Sequence, residues 1–248
     1  MFAKKVFSKI KDSLSFPANK KTCKIYNRPL YIEFIGVSGV GKSTIFNELS
    51  KYEDNYCTLV NFIKQNRNIK IDNLIDKDSI YENLAKKQWN IIQNKDVLNS
   101  DKFRIAHWNY KTLIEDVKVV KYNRNHLIIS DEAILHNFQE ALLEIKEEDP
   151  KSFKDFLINR AVVYCYSSVD GIVEQILRRK EETGRIVSHH KGKSIEELYD
   201  IVKRDLEEKE EFLEIMFNMG IPILRINTQD SLEFNSNKVK EFILKFIK

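Results

Sequence analysis

Near the start of this chain, between an apolar run and a helical pattern, stand eight residues that leave few folds open: Gly36-Val37-Ser38-Gly39-Val40-Gly41-Lys42-Ser43. Three of the chain's seven glycines fall inside them. The preceding run, residues 30–35, reads as a buried strand, and residues 43–51 read as a helix. A G-x-x-x-x-G-K-[ST] spacing between a strand and a helix is that of a phosphate-binding loop. Its glycines allow tight turns that aim backbone N–H groups at phosphate oxygens. Lys42 is placed to reach the β- and γ-phosphates, the Ser43 hydroxyl to ligate Mg²⁺, and the helix to point its positive end at the same charge. Gly36, Val37, Ser38, Gly39, Val40, Gly41, Lys42, Ser43 and Thr44 are therefore expected to bind a nucleoside triphosphate, ATP, with Mg²⁺.

The rest of the chain alternates. Strands are expected over 56–63, 126–130, 161–166 and 221–226. Helices are expected over 79–100, 101–120, 133–148 (stopping before Pro150), 169–180, 195–219 and 237–247. Strands alternating with helices predict a three-layer α/β fold, a parallel sheet of about five strands with helices on both faces.

Charge divides the chain in two. Residues 1–28 carry a net +7, which leaves −3 on the remaining 220 residues. Residues 1–28 read as a basic extension and linker, and 29–248 as the folded domain. In the extension, Phe2, Val6, Phe7, Ile10 and Leu14 follow helical spacing among lysines. Such a helix either packs on its own domain or lies peripherally on an anionic membrane surface. The acidic balance of the domain speaks against nucleic acid as a partner. Cys23, Cys57 and Cys165 stand far apart without a CxxC pair, as expected of a reducing cytoplasm. No apolar run reaches the roughly 18 residues of a membrane span, and lysines interrupt any secretory h-region.

The loop alone does not name a reaction. No D-x-x-G follows it, Asn94-Lys95-Asp96-Val97 misses N-K-x-D at its last position, and no LSGGQ-like segment occurs. The chain resembles the nucleoside and nucleotide kinase group of P-loop proteins, which includes thymidylate kinase and the deoxynucleoside kinases. The likeness runs over roughly residues 30–247 as an order of elements. It implies a phosphotransferase acting on a small-molecule acceptor: a nucleoside, a nucleotide or a sugar-like alcohol. It implies catalytic roles for Lys42, Asp131 and Glu132, the last two ending the strand in LIISDE. Asp131 would hold Mg²⁺ together with Ser43, or take the acceptor proton, with Glu132 second for either role. The alternative for this pair is a helix N-cap with a first-turn acid. The resemblance also implies a lid over about 178–194 whose Arg178 and Arg185 face the transferred phosphate, with Arg179 less favoured, and an adenine site near 227–230. Where thymidylate kinases carry D-R-[YFH] and deoxynucleoside kinases E-R-S, this chain has Asp131-Glu132-Ala133, so the arginine of those motifs is missing.

Acceptor-binding helices are expected within about 64–125. There Arg104, His107, Trp108 and Lys111 share a helix face, with Trp108 expected in the core; the alternative is a ring-stacking surface flanked by cations. Trp89 is also expected in the core, and His189 and His190 in a solvated loop. Two other functions fit the same motif: a P-loop ATPase acting as a switch for a protein partner, and a polynucleotide 5′-kinase.

Overall fold

Alternation along two strands sorts the core into two layers. In β1 (Tyr31–Ile35), Ile32 and Phe34 face one side, and Tyr31, Glu33 and Ile35 the other. In β4 (Arg160–Tyr166), Ala161, Val163 and Cys165 join the first side, Val162 and Tyr164 the second. These strands are buried on both faces, as a parallel sheet covered by helices requires. The computed structural model describes residues 31–51, 56–67, 79–123, 126–184 and 190–247. The amphipathic segment 1–15, the linker after it, Arg185 and His189 lie outside the described residues.

With β2 (Cys57–Thr58), β3 (Ile128–Ser130) and β5 (Ile223–Asn227), the strands form one sheet in the order β2-β3-β1-β4-β5. Every neighbouring pair is parallel. On the first face pack α1 (Lys42–Leu49), the N-terminal half of α9 (Ile195–Asn218), α8 (Val169–Thr183) and α10 (Leu232–Leu244). The second face is covered by α3 (Ile80–Asn94), α4 (Asn99–Tyr122), α5 (Ile134–Asn137), α6 (Gln139–Glu148), α7 (Pro150–Leu157) and the C-terminal half of α9. The chain is thus an α/β fold of the three-layer P-loop type. No described helix is long and apolar enough to cross a membrane.

Several expectations are corrected. The strand expected over 56–63 is only two residues long; the chain then turns into α2 (Leu59–Gln65). Thr58 caps that helix, its side chain accepting from the Asn61 N–H, and Leu59 and Phe62 bury one face at helical spacing. The helix expected over 133–148 breaks at buried Phe138 into α5 and α6. The helix does stop before Pro150, at Glu148, but Pro150 also starts a further one: it sits in the first turn of α7, and Asp149 accepts from the Ser152 N–H at 3.0 Å. The last helix begins earlier than expected, because Ser231 accepts from the Phe234 N–H.

Candidate active site

The cradle is built where β1 ends. At Gly36 φ is +149°, and a Cβ there would lie 2.3 Å from the Cys165 carbonyl oxygen of β4. Only glycine lets the loop leave β1 this close to its neighbour. At Gly39 φ is +87°, and a Cβ would meet Ile176 Cγ1 of α8 at 2.7 Å. Val37 and Val40 anchor the loop in the core, while Ser43 and Thr44 stand exposed on the first turn of α1. Gly36→Ala is expected to lower the thermal midpoint by several degrees, since backbone strain alone costs about 1–3 kcal/mol. A calorimetric midpoint equal to wild type would contradict this close approach.

Lys42 is 5% exposed, and its ammonium donates to the carbonyls of Gly36 at 2.9 Å and Val37 at 3.2 Å. Burial lowers its pKa, while the charges of Glu132, Cys165 and Asp131 pull it back up. The loop lysine and the acids that follow β3 are therefore within electrostatic reach of each other. This follows from topology, since β3 is the parallel neighbour of β1. Burial raises the pKa of Glu132, opposed by Lys42 and Arg179 and reinforced by Asp131. Neither acid caps a helix: the N-cap residue of α5 is Ala133, which has no side chain able to cap it, so the capping alternative fails.

What caps α5 instead is a residue that no sequence motif marks. The Glu33 carboxylate of β1 accepts from the Leu135 N–H at 2.8 Å. Its other oxygen accepts from Arg160 Nη1 at 2.7 Å, and Arg160 also grips Asp116 of α4 at 2.6 and 3.0 Å. The Tyr81 hydroxyl donates to Asp116 at 2.7 Å. All three charged groups are buried, and the Arg160 guanidinium lies over the Phe156 ring at 4.0 Å. This cluster ties the strand that carries the cradle to α4 and to the helix that follows the acidic pair. A charge inside an otherwise apolar strand, at Glu33, and another at the head of AVVYCY were its visible signals.

Short α5 also brings His136 to the site, 3.9 Å from Glu132. Burial pushes the His136 pKa well down, and the charges of Lys42 and Lys209 push it further. His136 and Lys209 were not singled out in the sequence. His136 belongs to a four-residue helix, and Lys209 lies in the middle of α9, far from any motif.

The lid arginines separate. Arg178 is exposed and faces Glu182 at 3.9 Å, whereas the charge of Arg179 reaches Glu132. After β5, Thr228 Cβ lies 3.6 Å from where a side chain on Gly41 would begin, so the 227–230 loop does flank the cradle, and Gln175 Oε1 of α8 approaches the same point at 3.8 Å. Trp108 is a correction: it is 46% exposed, with the Lys111 ammonium 5.2 Å from its ring centre, and Arg104 turns back to Asp101. Trp89 is half-buried, and His190, expected in solvent, is buried. Among the described residues no cluster of three or more His, Cys, Asp or Glu is arranged to hold a metal. Exposed Ser43 and half-buried Asp131 fit a cation that is completed by phosphate oxygens, which is how Mg²⁺ is commonly held.

No family model matches the chain, and no curated protein matches it. Among solved structures, it is similar to a shikimate kinase from Bacteroides thetaiotaomicron, at 13% identity and a TM-score of 0.44, over 86% of this chain and 98% of that one. It is also similar to deoxyadenosine kinase from M. mycoides with bound dATP, at 13% identity and 0.47, over 86% and 99%. A gluconokinase from Sinorhizobium meliloti 1021 matches at 14% identity and 0.39, over 90% and 95%.

Proposed function

We propose that this chain is a P-loop kinase that moves the γ-phosphate of ATP to a small-molecule acceptor: a nucleoside, a nucleotide or a sugar-like alcohol. The observation that carries the reading is the juxtaposition of Lys42 in its glycine cradle with Asp131 and Glu132, which follow the adjacent parallel strand. In such a transfer the acceptor oxygen bonds to the γ-phosphorus, the bond from that phosphorus to ADP breaks, and the acceptor proton needs a base. Glu132 suits that role, because burial raises its pKa above the ordinary carboxylate value. Asp131 and Ser43 would hold Mg²⁺, which would neutralise phosphate charge. Lys42 and Arg179 supply fixed positive charge toward the transferred group, and the positive end of α1 adds to it. Arg178 and Arg185 keep the lid role that the resemblance implies.

The test is ATP consumption with Mg²⁺, alone and against nucleosides, nucleotides and sugars. Consumption that depends on one acceptor class supports the kinase. Steady consumption indifferent to every acceptor would instead indicate an ATPase switch. Glu132→Gln is expected to cut kcat about 10²-fold or more while leaving nucleotide affinity nearly unchanged. An unaltered kcat would remove Glu132 from the proton transfer.

A further inference from the structure

One cation at the site has no part in the scheme above. Lys209 projects from α9 and forms no ion pair among the described residues. Its ammonium donates instead to a neutral amide oxygen, Gln139 Oε1, at 2.5 Å. Gln139 opens α6 and is itself fixed, its Nε2 donating to the Glu208 carbonyl at 2.8 Å. Burial and repulsion from Lys42 push the Lys209 ammonium down to about 8, with Asp205 and Glu208 opposing only in part. His136 of α5, 3.9 Å from Glu132, feels both lysines. A second, half-buried ammonium that feels the charge of the cradle lysine is costly unless an anion compensates it. The amide leaves the other ammonium protons free to donate to that anion.

We propose that Lys209, oriented by Gln139, binds an anionic group, phosphate or carboxylate, that the acceptor carries beside the hydroxyl to be phosphorylated. The proposal rests on the kinase reading and narrows it to nucleotides, sugar phosphates or sugar acids over neutral nucleosides and sugars. An acceptor held at this anion by α9 and α6 would present its hydroxyl to Glu132, across from the cradle.

The test fills the cradle first. Protein saturated with Mg·AMP-PNP, whose third phosphate occupies the γ position, is titrated with inorganic phosphate and separately with acetate, reading the thermal midpoint. Wild type is expected to bind at least one of the two, and the stronger identifies the acceptor's group. In Lys209→Met the affinity is expected to fall about tenfold or more, the loss of one charge-assisted hydrogen bond. Lys209→Arg keeps the charge and is expected to retain part of the affinity. An unchanged Mg·AMP-PNP shift in Lys209→Met shows that the variant is folded and its cradle intact. Equal anion affinity in wild type and Lys209→Met overturns the proposal. So does phosphate that binds only without AMP-PNP, which would put Lys209 on the transferred group. Wild type that binds Mg·AMP-PNP but neither anion overturns this proposal alone, whereas wild type indifferent to Mg·AMP-PNP overturns the kinase reading with it.

Discussion

ATP turnover is expected to vanish in Lys42→Ala, with a loss of at least about 10²–10³-fold, the scale for removing one preorganised donor from a developing charge. The side chain is 5% exposed and threaded against the carbonyls of the loop it must serve. The carbonyls of the cradle itself therefore fix the position of this side chain. Arginine is not expected to rescue it, because a planar fork cannot occupy the space of a point charge against Gly36 and Val37. A coupled assay for ADP, beside the thermal midpoint, separates lost chemistry from lost folding. Wild-type turnover in Lys42→Ala would remove the cradle from the reaction altogether.

That cradle was legible in the sequence because its chemistry needs glycine at fixed intervals, and the structure places Gly36 and Gly39 where a Cβ would collide. The layer order was legible for a similar reason. Strands such as AVVYCY are apolar on both faces, and only a sheet covered twice buries them. Element ends fared worse, because local side chains decide them. Thr58, Ser231 and Asp149 start helices through single hydrogen bonds that periodicity does not register. Asp131 and Glu132 could be marked from the strand they end. Lys209 and His136 could not, since nothing in their neighbourhoods distinguishes them from surface residues of an amphipathic helix. Trp108 was misjudged because aromatic size favours the core only when the helix turns that face inward. In α4, Asn109, Leu113 and Asp116 take the buried side instead.

The ion cluster behind the site shows how far the hidden part reaches. Arg160→Met is expected to cost about 3–5 kcal/mol, the penalty for leaving buried partners unpaired. For a domain of this size each kcal/mol moves the midpoint by about 2–4 °C, so a fall of roughly 6–20 °C follows. The loss has a defined pH dependence. Burial already pushes the Glu33 carboxyl up to about 7 against the pull of Arg160. Without the arginine, Glu33 must bind its proton more tightly in the folded chain than in the unfolded one, where carboxyls titrate near about 4. Folding then takes up protons, so stability is greatest below the unfolded pKa and declines as pH rises through the folded one. The gap to wild type should be wider at about pH 8 than at about pH 5. Adding Glu33→Gln and Asp116→Asn removes the orphaned charges and should recover part of the loss at the higher pH. The amide that replaces the Glu33 carboxyl still offers an oxygen to the Leu135 N–H, so the cap on α5 survives the rescue. A single variant that melts like wild type at the higher pH would show that the cluster does not hold the fold. Because Glu33 also caps the helix bearing His136, Arg160→Met should lose turnover at temperatures where it is still folded.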